Sequence, residues 1–165
     1  MRKASSRQGG RGMWSLFLTA LLVVVADQLS KLWIRSNLLE GQSLFEVGFF
    51  KIIRFPLNTG AAFGLFQDQS FALTIVAIVG IALLLVYAFI IRPRFSLDNL
   101  LTRSALGLIL GGTIGNLIDR LRFNGVTDFI SIGIWPAFNI ADSAIVVGVI
   151  LFAYSLLPLA RAGKH

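Results

Sequence analysis

From Ser70 to Ile91 the chain runs for 22 residues without a single charged side chain. A bilayer's hydrocarbon core is about 30 Å thick, and about 20 apolar residues in a helix cross it. Lipid offers no hydrogen-bond partners, so the backbone of such a run must satisfy itself, which a helix does within one segment. This stretch alone commits the chain to a membrane. Three more runs of the same character begin near Trp14, Leu100 and Ile140. The composition agrees, with 56% hydrophobic residues, 14% charged residues and a mean hydropathy of +0.79. The expectation is an α-helical integral membrane protein with four transmembrane helices, at about 14–34, 70–91, 100–118 and 140–159. These make one domain over 13–160, between a basic disordered tail at 1–12 and a short tail at 161–165.

The first helix needs an argument, because Asp27 and Lys31 interrupt it. They stand four residues apart, on one helix face, with the acid ahead of the base, which is the favourable order. The basic start followed by an apolar run also fits a cleavable signal peptide. However, the run continues through DQLSKLWI to Ile34, long enough to span. Pro93 stops the second helix. In the third, Gly107, Gly111 and Gly115 recur every four residues, the GxxxG spacing that admits a closely packed second helix. Between the first two helices, SLFEVGFFKIIRF carries β-branched and aromatic residues in short alternation, broken by Gly48 and ended by Pro56. This predicts one or two short strands outside the membrane. The small-residue segment NTGAAFG (58–64) follows, where backbone can approach another group closely.

Charge sets the expected orientation. With four spans, the N-terminal tail, the linker between the second and third helices and the C-terminal tail share one side. That side holds nine bases and one acid, Asp98; the other holds six bases and seven acids. By the positive-inside rule both termini face the cytoplasm. The net charge of +7 thus reflects topology and anionic lipid rather than nucleic acid.

The same orientation gathers the unusual polar residues at one membrane face. Asp27 and Lys31 lie at the outer end of the first helix, Asn116, Asp119 and Arg120 at the outer end of the third. Asn139 and Asp142 open the fourth, and Asp128 sits in the connection before it. Asn58 lies in the outer loop after the first helix. Ionisable groups at the edge of hydrocarbon are costly and point to function.

The inventory narrows the chemistry. There is no cysteine, and the only histidine is the last residue, His165, so thiol nucleophiles, His-dependent triads and H-E-x-x-H zinc sites drop out. Two carboxylates that share a proton could hydrolyse a peptide without a cofactor, one accepting a proton from water and the other donating to the carbonyl. Asp142 opens a helix, where the dipole interacts favourably with a carboxylate, and Asp128 on its loop is the most plausible partner. Each acid also has a structural reading, Asp142 as a helix cap and Asp27–Lys31 as an ion pair. A Ser–Lys peptidase built from Lys31 with Ser30, Ser131 or Ser143 stays open, as do an ion-coupled carrier and a purely structural subunit.

Five blocks, DQLSK (27–31), NTGAAFG (58–64), GGTIGNLIDR (111–120), VTDF (126–129) and FNIAD (138–142), resemble in order those of the lipoprotein signal peptidases. The resemblance covers about residues 14–160. It implies an aspartic endopeptidase of the bacterial inner membrane that removes signal peptides from prolipoproteins, cutting just before a diacylglyceryl-modified cysteine, without a cofactor or metal. Its catalytic pair falls on Asp128 and Asp142. Asn58, Asn116, Arg120 and Asn139 match substrate-pocket positions, and Asp27, Lys31, Gly111, Gly115 and Asp119 match supporting ones. A small extracytoplasmic β-sheet cradle, to which 40–57 would contribute, and inhibition by the cyclic peptide globomycin are implied as well. The implied partners are the lipidated precursors and membrane lipid.

Overall fold

The computed structural model of the protein describes residues 6–60, 65–91 and 99–162, with side chains over 13–60, 65–90 and 99–157. Among the described residues, four helices are long and apolar enough to cross a membrane. They are α1 (Ser6–Asn37), α2 (Ser70–Val86, continued by a π-turn at Tyr87–Ile91), α3 (Leu100–Phe123) and α4 (Ile140–Ala162). Strands β1 (Ser43–Val47), β2 (Phe50–Ile53) and β3 (Ile130–Ile132) form one antiparallel sheet in that order. Part of NTGAAFG (61–64), Pro93 with most of its linker (92–98) and the extreme termini lie outside the described residues.

The chain is inverted relative to a soluble protein. Leu18, Leu21 and Leu22 on α1, most of α2, and Val146, Val149 and Ile150 on α4 are exposed, as hydrocarbon solvent requires. The most buried helix, α3, is the one that carries the polar residues. It packs against both α1 and α4, with α2 more peripheral.

Two boundaries differ instructively from expectation. The backbone of residues 6–12, expected as a disordered tail, is helical and continues α1, because propagation adds a hydrogen bond for each residue fixed onto an existing helix. Helix α3 was expected to end at Ile118 and runs to Phe123. The polar residues Asn116, Asp119 and Arg120 resemble a helix exit in sequence. They recur at helical spacing, however, and the partners of Asn116 and Asp119 lie on neighbouring segments rather than in water. The actual stop is Asn124, left-handed at φ 56°, whose N–H bonds to the Arg120 carbonyl. The third strand was also not anticipated. The β1–β2 hairpin matches the reading of 40–57, but β3 comes from the connection after α3 and is too short to show alternation.

The glycine face of α3 meets α1. A Cβ added at Gly111 would lie 2.6 Å from the Ala20 carbonyl oxygen, and one at Gly107 2.5 Å from that of Leu16. Both obstacles are backbone, so neither can swing aside. We expect Gly111→Ala to destabilise the protein by about 1–3 kcal/mol through overpacking, despite alanine's better helix propensity. Gly80→Ala on α2, where a Cβ meets nothing within 4 Å, should instead be neutral or stabilising. Thermal unfolding of the two variants in detergent makes the comparison; equal melting temperatures would remove the close-approach argument.

Candidate active site

Asp128 and Asp142 come from different elements and converge on one cavity. Asp128 lies on the connection between α3 and β3, and its loop is pinned on both sides. Phe55 N–H donates to the Asp128 carbonyl at 3.2 Å, and Asn58 and Val126 exchange a pair of backbone hydrogen bonds at 2.8 and 2.9 Å. Asp142 sits in the first turn of α4. There it forms a reciprocal cap with Asn139. The Asn139 N–H donates to Asp142 Oδ2 at 3.1 Å, and the Asp142 N–H donates to Asn139 Oδ1 at 3.0 Å. This is the capping-box arrangement, with Asp in place of Glu.

Three asparagines present amide N–H groups to the two carboxylates. Asn58 Nδ2 donates to Asp128 Oδ2 at 2.9 Å, Asn139 Nδ2 to Asp128 Oδ1 at 2.8 Å, and Asn116 Nδ2 to Asp142 Oδ1 at 2.7 Å. Each amide is oriented by what its oxygen accepts. Gly60 N–H holds Asn58 Oδ1 at 3.0 Å, Asp142 N–H holds Asn139 Oδ1, and Lys31 Nζ holds Asn116 Oδ1 at 2.9 Å. Lysine has donors and no acceptor, so the Asn116 oxygen must face Lys31 and its nitrogen must face Asp142. All four oxygens of the pair therefore have a fixed donor, and Asn139 binds both acids at once.

The cavity beside them measures about 350 Å³. Asn58, Asn116, Arg120, Asp128 and Asp142 form its polar part, and Trp135, Phe138, Ile145 and Val146 contribute an apolar wall. Arg120 has Asp142, Asp128 and Asp119 as attractive neighbours, and its Nε is buried without a hydrogen-bond partner. Asn139 is fully buried and stands behind the cavity rather than lining it. Asp128 is 3% exposed. Its carboxyl is raised from the ordinary 3.8 to about 6, first by burial and next by the charge of Asp142, against the lowering effect of the Asn58 and Asn139 hydrogen bonds. An acid that titrates near neutrality beside a second acid, in a cavity, is suited to proton transfer.

Comparison with known proteins decides the family. Residues 19–158 match the family model described as signal peptidase (SPase) II. The chain belongs to the signal peptidase II family. It is thus a peptidase, and an aspartic one. Among relatives it is similar to a lipoprotein signal peptidase of Moorella thermoacetica, 44% identical over 90% of this chain and 97% of that one. Another, from Dehalococcoides mccartyi, is 47% identical over 81% and 83%. Two solved structures described as a bacterial membrane enzyme superpose with TM-scores of 0.77 and 0.74, each at 34% identity. They cover 87% and 86% of this chain, and 87% and 92% of their own.

Behind the pair, this signal peptidase II chain has a buried ionic layer in which Asp27, Lys31 and Asp119 are all fully buried. Lys31 Nζ lies 2.9 Å from Asp27 Oδ2 and 3.6 Å from Asp119 Oδ2. Asp27 Oδ1 accepts the Ala141 N–H at 3.0 Å, which ties α1 to the start of α4. Gly115 is required beside them, since a Cβ there would lie 2.6 Å from Asp27 Oδ2. Lys31 spends its contacts on Asp27, Asn116 and Asp119. Meanwhile Ser30 and Ser143 donate to the carbonyls of Asp27 and Asn139. Neither Ser30 nor Ser143 therefore pairs with Lys31.

Sequence reasoning missed three members of this layer. Arg35 Nη1 donates to Thr127 Oγ1 at 2.7 Å and lies 3.3 Å from Asp119 Oδ1. Its guanidinium also stacks 4.5 Å over the Phe123 ring. Thr127 N–H donates to Asp119 Oδ2 at 2.9 Å, so the residue before Asp128 is anchored to α3. Gln28 donates to Asp27 Oδ2 and to the Gly115 carbonyl. Helical spacing offered a signal, since Asp27, Gln28, Lys31 and Arg35 lie on adjoining faces at i, i+1, i+4 and i+8. Only the fold reveals that this side meets α3.

Proposed function

We propose that the protein removes signal peptides from lipoproteins with the Asp128/Asp142 pair, cleaving on the N-terminal side of a diacylglyceryl-modified cysteine. The observation that carries this reading is the convergence of the two acids beside one cavity, linked through Asn139. The family, and the names of its relatives as lipoprotein signal peptidases, support the substrate class.

The geometry supports the following mechanism. One proton is shared by the two carboxyls. The ionised member takes a proton from water, which attacks the scissile carbonyl, while the protonated member donates to the carbonyl oxygen. The protons return as the C–N bond breaks and the amine leaves. The pair titrates as a unit, so neither role is assigned to one residue. Asn58, Asn116 and Asn139 fix the carboxylate planes before substrate arrives, and Arg120 supplies positive charge at the cavity wall. The apolar wall by Ile145 and Val146 suits a substrate whose acyl chains remain in hydrocarbon. Globomycin would compete for the same cavity.

The pH dependence has a definite sign. Cleavage should fall, with a slope of one proton, as pH rises past the loss of the shared proton near 6. Stability should change in the same direction. The folded state holds the Asp128 proton more tightly than the unfolded chain does. The contribution of Asp128 to stability is therefore greatest below the ordinary 3.8 and is lost as pH rises to about 6. Melting temperature against pH for the protein and for Asp128→Asn tests this, because the variant should lack that decline. Parallel curves would contradict it.

We further propose that both termini are cytoplasmic and that the site faces the outside of the bacterial inner membrane. A reporter fused after Arg94 should be cytoplasmic, and one inserted within 122–127 extracytoplasmic. The opposite pattern would invert the orientation.

A further inference from the structure

The segment that carries Asp128 alternates between two surroundings. Successive residues of an extended chain point to opposite sides, and Val126, which bridges to Asn58, begins such a run. Val126 and Asp128 line the cavity, whereas Thr127 between them is 1% exposed and turns away from it. All three polar groups of Thr127 are held. Its N–H donates to Asp119 Oδ2 at 2.9 Å, its Oγ1 accepts from Arg35 Nη1 at 2.7 Å, and its carbonyl accepts from Asn139 Nδ2 at 3.4 Å.

Arg35 is itself fixed from several sides. Its Nη1 lies 3.3 Å from Asp119 Oδ1, and its guanidinium stands 4.5 Å from the centre of the Phe123 ring at the end of α3. Its backbone carbonyl accepts from Arg54 Nη1 at 3.0 Å, which joins this turn of α1 to the end of the hairpin. A planar guanidinium donates in its plane while it stacks with its face, which an ammonium cannot do. The Arg35 side chain is 15% exposed, so these bonds form largely out of water, where they are stronger. Arg35 and Thr127 both lie outside the cavity lining.

We infer that Arg35 is a positioning residue for Asp128, acting through the Thr127 hydroxyl. The inference rests on Asp128 belonging to the catalytic pair. One peptide joins Thr127 to Asp128, so a shift of Thr127 carries the Asp128 backbone with it. The carboxyl would then leave its hydrogen bonds from Asn58 and Asn139, at 2.9 and 2.8 Å, which tolerate little change of distance or angle. Alignment matters here, because a displacement of about 1 Å at the reacting groups can cost about 10²-fold in rate. Helix α1 thus addresses both acids from outside the cavity, by two residues one turn apart on the same face. Lys31 reaches Asp142 through Asn116, and Arg35 reaches Asp128 through Thr127. The competing account makes Arg35 only a counter-ion to Asp119, and the Thr127 hydroxyl separates the two.

Thr127→Val removes the acceptor and keeps the branched shape and every charge, while Arg35 retains Asp119 and Phe123. The probe is a fluorogenic peptide with a diacylglyceryl-modified cysteine, cleaved by the full-length protein in detergent micelles. Thr127→Val should lower kcat about tenfold and leave KM unchanged, because neither partner lines the cavity and only the alignment of the reacting groups is lost. Thr127→Ser restores the oxygen and should return kcat close to that of the parent protein. Arg35→Met combined with Thr127→Val should be no slower than Arg35→Met alone, since both cut one connection. An undiminished kcat in Thr127→Val would overturn the inference, as would losses that multiply in the double variant. Should Arg35→Met fail to fold, the valine and serine variants decide the question by themselves. Asp128→Asn in the same assay keeps the two readings apart. If it is inactive while Thr127→Val is not slowed, the positioning role is wrong and the pair stands; if it stays active, the pair itself is wrong.

Discussion

Asp128→Asn and Asp142→Asn each lower cleavage of a lipidated precursor by roughly 10²–10⁴-fold, the range general acid–base catalysis contributes. Asparagine preserves shape but neither takes a proton from water nor holds the shared one. The substitution also has a local cost. Each carboxylate accepts one N–H at each oxygen. An asparagine offers one oxygen, so one of its donors faces another donor, a penalty of about 1–3 kcal/mol when buried. Activity must therefore be read beside folding. Membrane insertion and helicity should persist in both variants, because no helix depends on either acid alone. Processing near the normal rate by either variant would exclude the pair as the catalytic groups.

Lys31→Met should be the most destabilising single change in the site, by about 3–5 kcal/mol. It leaves Asp27 Oδ2 without its ion pair, in a place with no access to water. Asp119 keeps Arg35 and is affected less. A second effect reaches the cavity. Without Lys31 the Asn116 oxygen keeps only the longer hydrogen bond from Asn139 Nδ2, at 3.2 Å, so the amide that holds Asp142 is less firmly oriented. Adding Asp27→Asn removes the orphaned charge. The double variant should recover much of the stability but not the activity. Unfolding titrations in mixed detergent, with processing assays on both variants, separate these effects. Full recovery of activity in the double variant would show that Lys31 acts only as a counter-ion.

Much of this was legible in the chain. The 22 uncharged residues from Ser70 to Ile91 dictated a membrane helix, because lipid leaves an apolar run few alternatives. The spacing of Gly107, Gly111 and Gly115 announced a close helix contact, though not which helix would make it. The absence of cysteine and of any histidine before residue 165 left carboxylates as the simplest catalysts. The polar end of α3 was misread as a helix exit. Burial of charge is visible only when its partners are known, and Lys31, Gln28 and Arg35 lie more than 80 residues away.

Local sequence thus determined what depends on neighbours along the chain, namely the spans and the break between two short strands at Gly48. Tertiary structure alone decided the rest. It set Asn139 between the two aspartates, oriented three amides through contacts from separate segments, and drew β3 from a loop to complete the sheet. Hydrophobic periodicity is a property of adjacent residues. The direction of an amide is set by whichever donor folds against its oxygen, and that donor is known only once the helices have packed.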